Sequence, residues 1–238
     1  MKLRNIFESQ DDITQQVTNL FDVQGDVEVT DDIVNVKGNI LSKDNKKIHS
    51  LPFNLGVVTG TLDIIGTGLK TCQGFPTRAE TVSISYNDTL ISLAGCEKLE
   101  CEKFIADNSG VKNLENCPLA VDYDFDQTAI TSLNGLRTER LNKLDARNNG
   151  LVDIKMILVN QNRDVSKSRI RLNYNRNLPV VYLTVTAGQD GFFNIELEDL
   201  DSTVERTITP YRGKGLGAAI ELAIKLRDQG FAGNAKLR

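Results

Sequence analysis

Residues 62–72 read LDIIGTGLKTC, and the same pattern returns as FIADNSGVKNL at 104–114, YDFDQTAITSL at 123–133 and LDARNNGLVDI at 144–154. Each stretch begins with two apolar residues in alternation, continues with a small polar residue and ends with an apolar pair spaced three apart. A unit that recurs at a near-constant interval is typical of a solenoid, in which successive copies stack on one another. This stretch therefore predicts the fold of the chain.

The interval between the repeats can be measured on the apolar pairs. Their first members are separated by 21, 21, 21, 19, 21 and 27 residues, which predicts about seven repeats of ~21 residues. The copies that begin at Val82 and Ile170 each need one added residue to fit the unit. The pairs are Ile48 and Leu51, Leu69 and Cys72, Leu90 and Leu93, Val111 and Leu114, Ile130 and Leu133, Leu151 and Ile154, Leu178 and Val181.

The alternating segment in each unit predicts a short strand with one buried face, because side chains on a strand alternate between its two sides. Each strand would pair in parallel with the strand of the next unit, and the apolar pair would enter the core beneath the sheet. The small polar residue would bond backbone groups where the chain turns; it is Thr67, Ser109, Thr128 or Asn149. The predicted strands start at Leu62, Val82, Phe104, Tyr123, Leu144 and Ile170.

This unit resembles the leucine-rich repeat, although Thr or Ser mostly replaces the usual Asn or Cys. The resemblance implies an α/β fold, a leucine-rich-repeat-like solenoid with a parallel sheet over residues 31–185. Residues 1–30 are expected to form an N-terminal helical cap, with a helix around Asp12 to Phe21. Residues 186–238 are expected to form a C-terminal cap of a hairpin, a glycine-rich turn and a helix at 217–228.

Composition restricts the class of partner. The chain has 238 residues and a formal net charge of -4, so no general attraction to nucleic acid or to an anionic membrane is expected. No apolar run reaches the roughly 20 residues of a membrane span, and the N-terminus lacks a secretory core, so we expect a cytoplasmic protein. Cys96 and Cys117 hold equivalent places in adjacent repeats and are expected to be free thiols, and no metal site is predicted.

The strand surface opposite the core is the first candidate site. Its acidic middle and basic C-terminal end predict a non-enzymatic protein-binding module whose partner carries a basic patch. The alternative is a solvated face that is polar only because it is exposed. No catalytic residue and no cofactor is predicted. The candidate protein-binding residues are Asp63, Asp107, Asp124, Asp126, Asp145, Arg147 and Arg171.

A glycine-rich turn before a helix is the second candidate site. The string from Arg212 to Gly217 resembles the acetyl-CoA-binding motif of the GNAT acetyltransferases, in which backbone N–H groups hold a pyrophosphate. The resemblance spans residues 209–230 and implies, as the alternative function, an acetyl-CoA-dependent acyltransferase or a nucleotide binder. The possible phosphate-binding residues are Arg212, Gly213, Lys214, Gly215 and Gly217.

The C-terminal segment also resembles the leucine-rich-repeat proteins of tailed bacteriophages, at Tyr211–Gly215 and Gly230–Ala235. That resemblance implies a viral protein in the cytoplasm of an infected host, with a host factor or a phage assembly protein as its partner. A third function would be a virion or scaffold component that self-associates through the solenoid edge.

Overall fold

A computed structural model describes residues 10–42, 47–152, 169–171, 175, 195–198, 205–206 and 234–237. Over these residues the chain forms one helix and twelve strands. The elements are α1 Gln10–Leu20, β1 Phe21–Thr30, β2 Ile33–Ser42, β3 Asn54–Val58, β4 Thr61–Asp63, β5 Thr81–Ser83, β6 Glu100–Ile105, β7 Leu119–Asp124, β8 Lys143–Asp145, β9 Arg169–Arg171, β10 Ile195–Glu198, β11 Glu205–Arg206 and β12 Asn234–Leu237.

The main sheet is a parallel ladder that follows the order of the chain. Its strands lie in the order β1-β2-β4-β5-β6-β7-β8-β9, and β3 also pairs with β2. Every pair is parallel except β1 with β2. Each strand pairs with the strand of the next turn, so the chain is a solenoid of about five turns, and the predicted solenoid with a parallel sheet is confirmed.

The register of the ladder follows the repeat found in the sequence. The six residues predicted to start the strands are direct partners across the sheet, in the order Leu62, Val82, Phe104, Tyr123, Leu144 and Ile170. The apolar pairs lie in the core beneath the sheet, from Ile48 to Leu151, all of them buried. Ile154, Leu178 and Val181 lie outside the described residues. Equivalent side chains therefore stack on one another from turn to turn.

Each strand is short because the backbone leaves it at a left-handed corner. The fourth residue after each predicted strand start, from Leu62 to Leu144, has a positive φ between 53° and 63°. Hydrogen bonds between successive corners, such as Gly66 N–H to Ser85 O at 2.9 Å, keep the turns aligned. The corner residues are Gly66, Tyr86, Asn108, Gln127 and Asn148.

Asn87 is fully buried just after one of these corners, and its amide bonds two turns together. Its Oδ1 accepts hydrogen bonds from three consecutive backbone N–H groups at 2.8–3.1 Å, those of Thr67, Gly68 and Leu69. Its Nδ2 donates to the backbone carbonyl oxygens of Ile64, Ile84 and Ser85. Groups that water cannot reach are thus satisfied by one side chain.

The same position in the later turns carries Asn149 and Asn175. Asn149 Nδ2 donates to Phe125 O at 2.7 Å, and Asn175 Nδ2 donates to Ala146 O at 2.8 Å. The repeat pattern in the sequence pointed to Asn149 but not to Asn87 or Asn175. Asn87 and Asn175 lie in the two repeats that need one added residue to fit the unit. In both repeats the added residue comes after the asparagine and before the apolar pair.

The first end of the stack is built from the helix and a hairpin. Ile13 and Val17 of α1 are buried in the same core as Phe21, in agreement with the predicted N-terminal helix. The antiparallel pair β1–β2 was not predicted, and its turn begins at residue 31, where the solenoid was expected to start. Asp31 and Asp32 both have positive φ, as a two-residue hairpin turn of type I′ requires. The turn lacks the glycine that usually indicates this turn type in a sequence.

Beyond the solenoid, β10 pairs antiparallel with both β11 and β12 in a small sheet. The turn of the predicted C-terminal hairpin, at residues 189–191, and the predicted helix at 217–228 lie outside the described residues.

We expect Asn87→Ala to lower the free energy of unfolding by about 3 kcal/mol, because it leaves several buried N–H and C=O groups without partners. Urea denaturation followed by circular dichroism measures this. Asn142→Ala is the matched control, since the Asn142 side chain is exposed and donates one hydrogen bond, to Asp122. An equal loss in both variants would contradict this role of Asn87.

Candidate protein-binding face

Two rows of side chains lie on the side of the ladder opposite the core, and we call their ten residues the strand face; Ser83, Ser85 and Asp145 among them are buried. Neighbours within a row come from adjacent turns, because the strands pair in register. The first row is Asp63, Ser83, Ile105, Asp124 and Asp145, and the second row is Ile65, Ser85, Asp107, Asp126 and Arg147. The structure therefore places six of the seven predicted binding residues on one surface.

The seventh predicted residue, Arg171, continues the first row along the backbone. It is the register partner of Asp145 in the pairing of β9 with β8. The possible phosphate-binding residues between Arg212 and Gly217 lie outside the described residues.

Arg147 connects two of the carboxylates. Its Nε donates to Asp145 Oδ1 at 2.7 Å, and its Nη2 donates to Asp126 Oδ2 at 3.2 Å. The hydrogen bond to Asp145 is the main cause that raises the pKa of the Arg147 guanidinium. Asp145 is only 2% exposed, so its carboxylate supports Arg147 and contributes little accessible surface. Sequence reasoning placed both residues on this face but did not foresee that they form an ion pair.

Asp124 is a half-buried carboxylate of the strand face with other acids beside it. Burial raises the pKa of its carboxyl, and the charges of Asp145 and Asp107 raise it further. The backbone N–H of Asp126, which donates to Asp124 Oδ1 at 3.1 Å, and the charge of Lys143 lower it. The folded protein thus holds this carboxylate where water solvates it poorly and where other negative charges lie nearby.

The remaining carboxylates of the acidic middle are held by adjacent side chains. Asp107 accepts hydrogen bonds from the Ser85 hydroxyl and from Asn108 Nδ2, and Asp126 accepts one from Asn148 Nδ2 at 2.7 Å. Because a hydrogen bond has a preferred distance and direction, each of these contacts restricts the rotamers of the carboxylate that accepts it.

Asp63 lies apart from the other acids of the face, two turns before Ile105 in the same row. Burial raises the pKa of its carboxyl, while hydrogen bonds from the Ile65 N–H and the Ser42 hydroxyl lower it. The acidic region of the strand face therefore consists of Asp107, Asp124, Asp126 and Asp145. Together with Arg147, these four carboxylates carry a formal charge of -3, and Asp63 brings the whole strand face to -4.

A cleft of about 650 Å³ lies elsewhere on the described part of the solenoid. Arg78 and Arg140 line it together with Glu80, Glu100 and Glu102, and Arg140 forms an ion pair with Glu102. Because charges of both signs surround it, the cleft does not favour an ion of one sign.

All four cysteines are free thiols buried in the core. Burial raises the pKa of the Cys101 thiol to about 12 and moves those of Cys96 and Cys117 well above their usual range. A thiol in this state is a poor nucleophile, because the thiolate is the reactive form. Among the described residues, no group of three or more His, Cys, Asp or Glu side chains could hold a metal ion.

The fold and the strand face define a class of protein, a β-solenoid with a mostly parallel sheet and a charged strand surface. No model of a known protein family, no curated protein and no solved structure matches the chain. The one helix among the described residues, α1, is not long and apolar enough to cross a membrane.

We expect Asp124→Asn to stabilise the protein more at pH 7 than at pH 3.5. Because the pKa of the Asp124 carboxyl is higher in the folded protein than its ordinary value of 3.8, protonation of this group stabilises the fold. This contribution to stability is fully present below pH 3.8 and is lost as the pH rises through the folded-state pKa. The neutral amide avoids that loss. Urea midpoints of both proteins at the two pH values measure the difference.

Asp88→Asn is the control for this experiment, because Asp88 is exposed and lies off the strand face. A benefit of Asp124→Asn that did not change between the two pH values would show that the carboxylate is not under electrostatic stress.

Proposed function

We propose that the protein is a non-enzymatic protein-binding module that receives a basic patch of its partner on the strand face. The observation that carries this proposal is the environment of Asp124, a half-buried carboxylate beside Asp107 and Asp145. Negative charges gathered on one surface are stabilised when a positive partner covers them. A face that served only solubility would gain nothing from holding them so close together.

The rigidity of the strand face also supports binding. Its carboxylates stand on a hydrogen-bonded ladder and are held by Arg147, Ser85, Asn108 and Asn148. A surface that is already ordered loses little side-chain entropy when the partner docks.

The resemblance to bacteriophage proteins bears on the identity of the partner. If the chain is phage-encoded, we infer that it acts in the host cytoplasm on a host factor or on a phage assembly protein. In either case the recognised feature is the same, a surface rich in lysine and arginine.

We expect the tagged protein to capture a partner from a bacterial lysate and to lose it when Asp124→Lys is combined with Asp126→Lys. Reversal of two charges opposite a basic patch should weaken binding at least tenfold, or about 1.4 kcal/mol. Mass spectrometry identifies the captured protein, and isothermal titration calorimetry measures its affinity for each variant.

Two further variants make this experiment specific. Asp88→Lys with Glu115→Lys changes the net charge by the same amount at exposed positions off the strand face, and it should retain the partner. Asp124→Asn with Asp126→Asn removes the charges but keeps an acceptor oxygen on each side chain, and it should show an intermediate loss. A partner that binds the Lys pair as well as the wild type would contradict the proposal.

The alternative function, an acetyl-CoA-dependent acyltransferase or nucleotide binder, rests on the Arg212–Gly217 motif alone. A ligand at 100 times its dissociation constant would add about 2.7 kcal/mol of stability. Under our proposal, we expect millimolar acetyl-CoA to leave the thermal midpoint unchanged in differential scanning fluorimetry. A clear rise would favour the alternative.

The other alternative is a virion or scaffold component that self-associates through the solenoid edge. In the described ladder one edge strand is β1, and its charged side chains are Asp22, Asp26 and Glu28, all negative. Pairing of two β1 edges would oppose like charges, so self-association through β1 is disfavoured.

A further inference from the structure

One residue at the rim of the strand face has a conformation that does not suit its side chain. Tyr86 follows β5 at a left-handed corner with a φ of 57°. Three of the four equivalent corners carry Gly66, Asn108 and Asn148, residue types that adopt this conformation at little cost, and the fourth carries Gln127. A bulky aromatic residue adopts it only with strain.

No hydrogen bond or ring contact of the Tyr86 side chain within the described fold offsets this strain. The side chain is 59% exposed, and among the described residues its ring has no ring–ring contact and its hydroxyl no hydrogen bond. The asparagines at equivalent corners, by contrast, donate to the carboxylates of Asp107 and Asp126. An asparagine or glycine at position 86 would suit the turn better, so the tyrosine has its use outside the turn.

The neighbours of Tyr86 show which kind of contact its ring could make. In the preceding turn, a Cβ added to Gly66 would meet no atom within 4 Å, so space is open at that corner. Ile65, next to that glycine, is 39% exposed. In the following turn, the backbone oxygen of Asp107 accepts a hydrogen bond from the Tyr86 N–H at 3.1 Å. Tyr86 therefore lies between an exposed apolar residue and the acidic region.

We propose that Tyr86 is an aromatic contact for an arginine- or lysine-bearing segment of the partner protein. The cation would lie over the ring, close to the acidic region, and its alkyl stem would cover Ile65. Cations are attracted to tyrosine rings, and tyrosine is enriched among the residues that dominate binding energy. This inference rests on the proposed function, because it specifies how the basic partner is recognised.

The test uses the full chain and a fluorescein-labelled peptide of alternating arginine and glycine, with the matching glutamate–glycine peptide as the negative control. Fluorescence anisotropy at low salt measures binding, and scanning calorimetry measures stability. We expect Tyr86→Asn to weaken peptide binding about tenfold, or about 1.4 kcal/mol. The same variant should raise the thermal midpoint by about 2 °C, because it relieves the corner.

Two variants distinguish the contribution of the Tyr86 ring to peptide binding from other effects of a substitution. Tyr86→Phe keeps the aromatic face and should bind within about twofold of the wild type. Ile91→Asn removes an exposed apolar side chain at a position outside the strand face, and it should leave peptide binding unchanged.

Opposite shifts of affinity and stability in Tyr86→Asn would support the inference. A lower thermal midpoint together with weaker binding would overturn it, since Tyr86 would then serve the fold. Unchanged binding in Tyr86→Asn, or no binding of the arginine peptide by the wild type, would also overturn it. The proposed function would still stand if the charge-reversed pair at Asp124 and Asp126 lost the captured partner.

Discussion

The fold depends on satisfying backbone N–H and C=O groups that each turn carries beneath the sheet, out of reach of water. Asn87 does this for two turns at once, since its amide bonds three N–H groups of one turn and carbonyls of both. Unsatisfied groups in such a place cost more free energy than a typical hydrogen bond contributes. Where an asparagine bridges two turns in this way, at Asn87, Asn149 and Asn175, it helps to fix their spacing and the register of their strands.

The parts of the fold that sequence reasoning could predict are those governed by local period. Leu62, Tyr123 and Leu144 alternate with polar residues, and their burial and pairing follow from that alternation. The β1–β2 hairpin could not be predicted in the same way, because the turn at Asp31–Asp32 lacks a glycine and Gly25 interrupts the alternation in β1. The repeats were thus predicted because their alternation is strong, and strand β1 was missed because its alternation is weak.

The candidate site, too, could be predicted from the sequence only in part. The strand period places Asp124, Asp126 and Asp145 on one surface, and the register of the sheet brings them close together. The conformation of the Arg147 side chain is not set locally, since it can extend into water or along two different turns. Its contacts with Asp145 and Asp126, and the burial of Asp145, depend on how long side chains pack in three dimensions. Alternation in the sequence carries no information on that packing.

The β1–β2 hairpin makes the first end of the solenoid different from the turns that follow it. β1 and β2 are adjacent in the chain, so they can pair before any distant contact forms, and β2 then offers its free edge to β3 and β4. Each later turn pairs only with its immediate neighbours in the ladder. We therefore expect the local β1–β2 pairing to favour folding from this end, so that the turns acquire protection from solvent exchange in the order of their distance from β2.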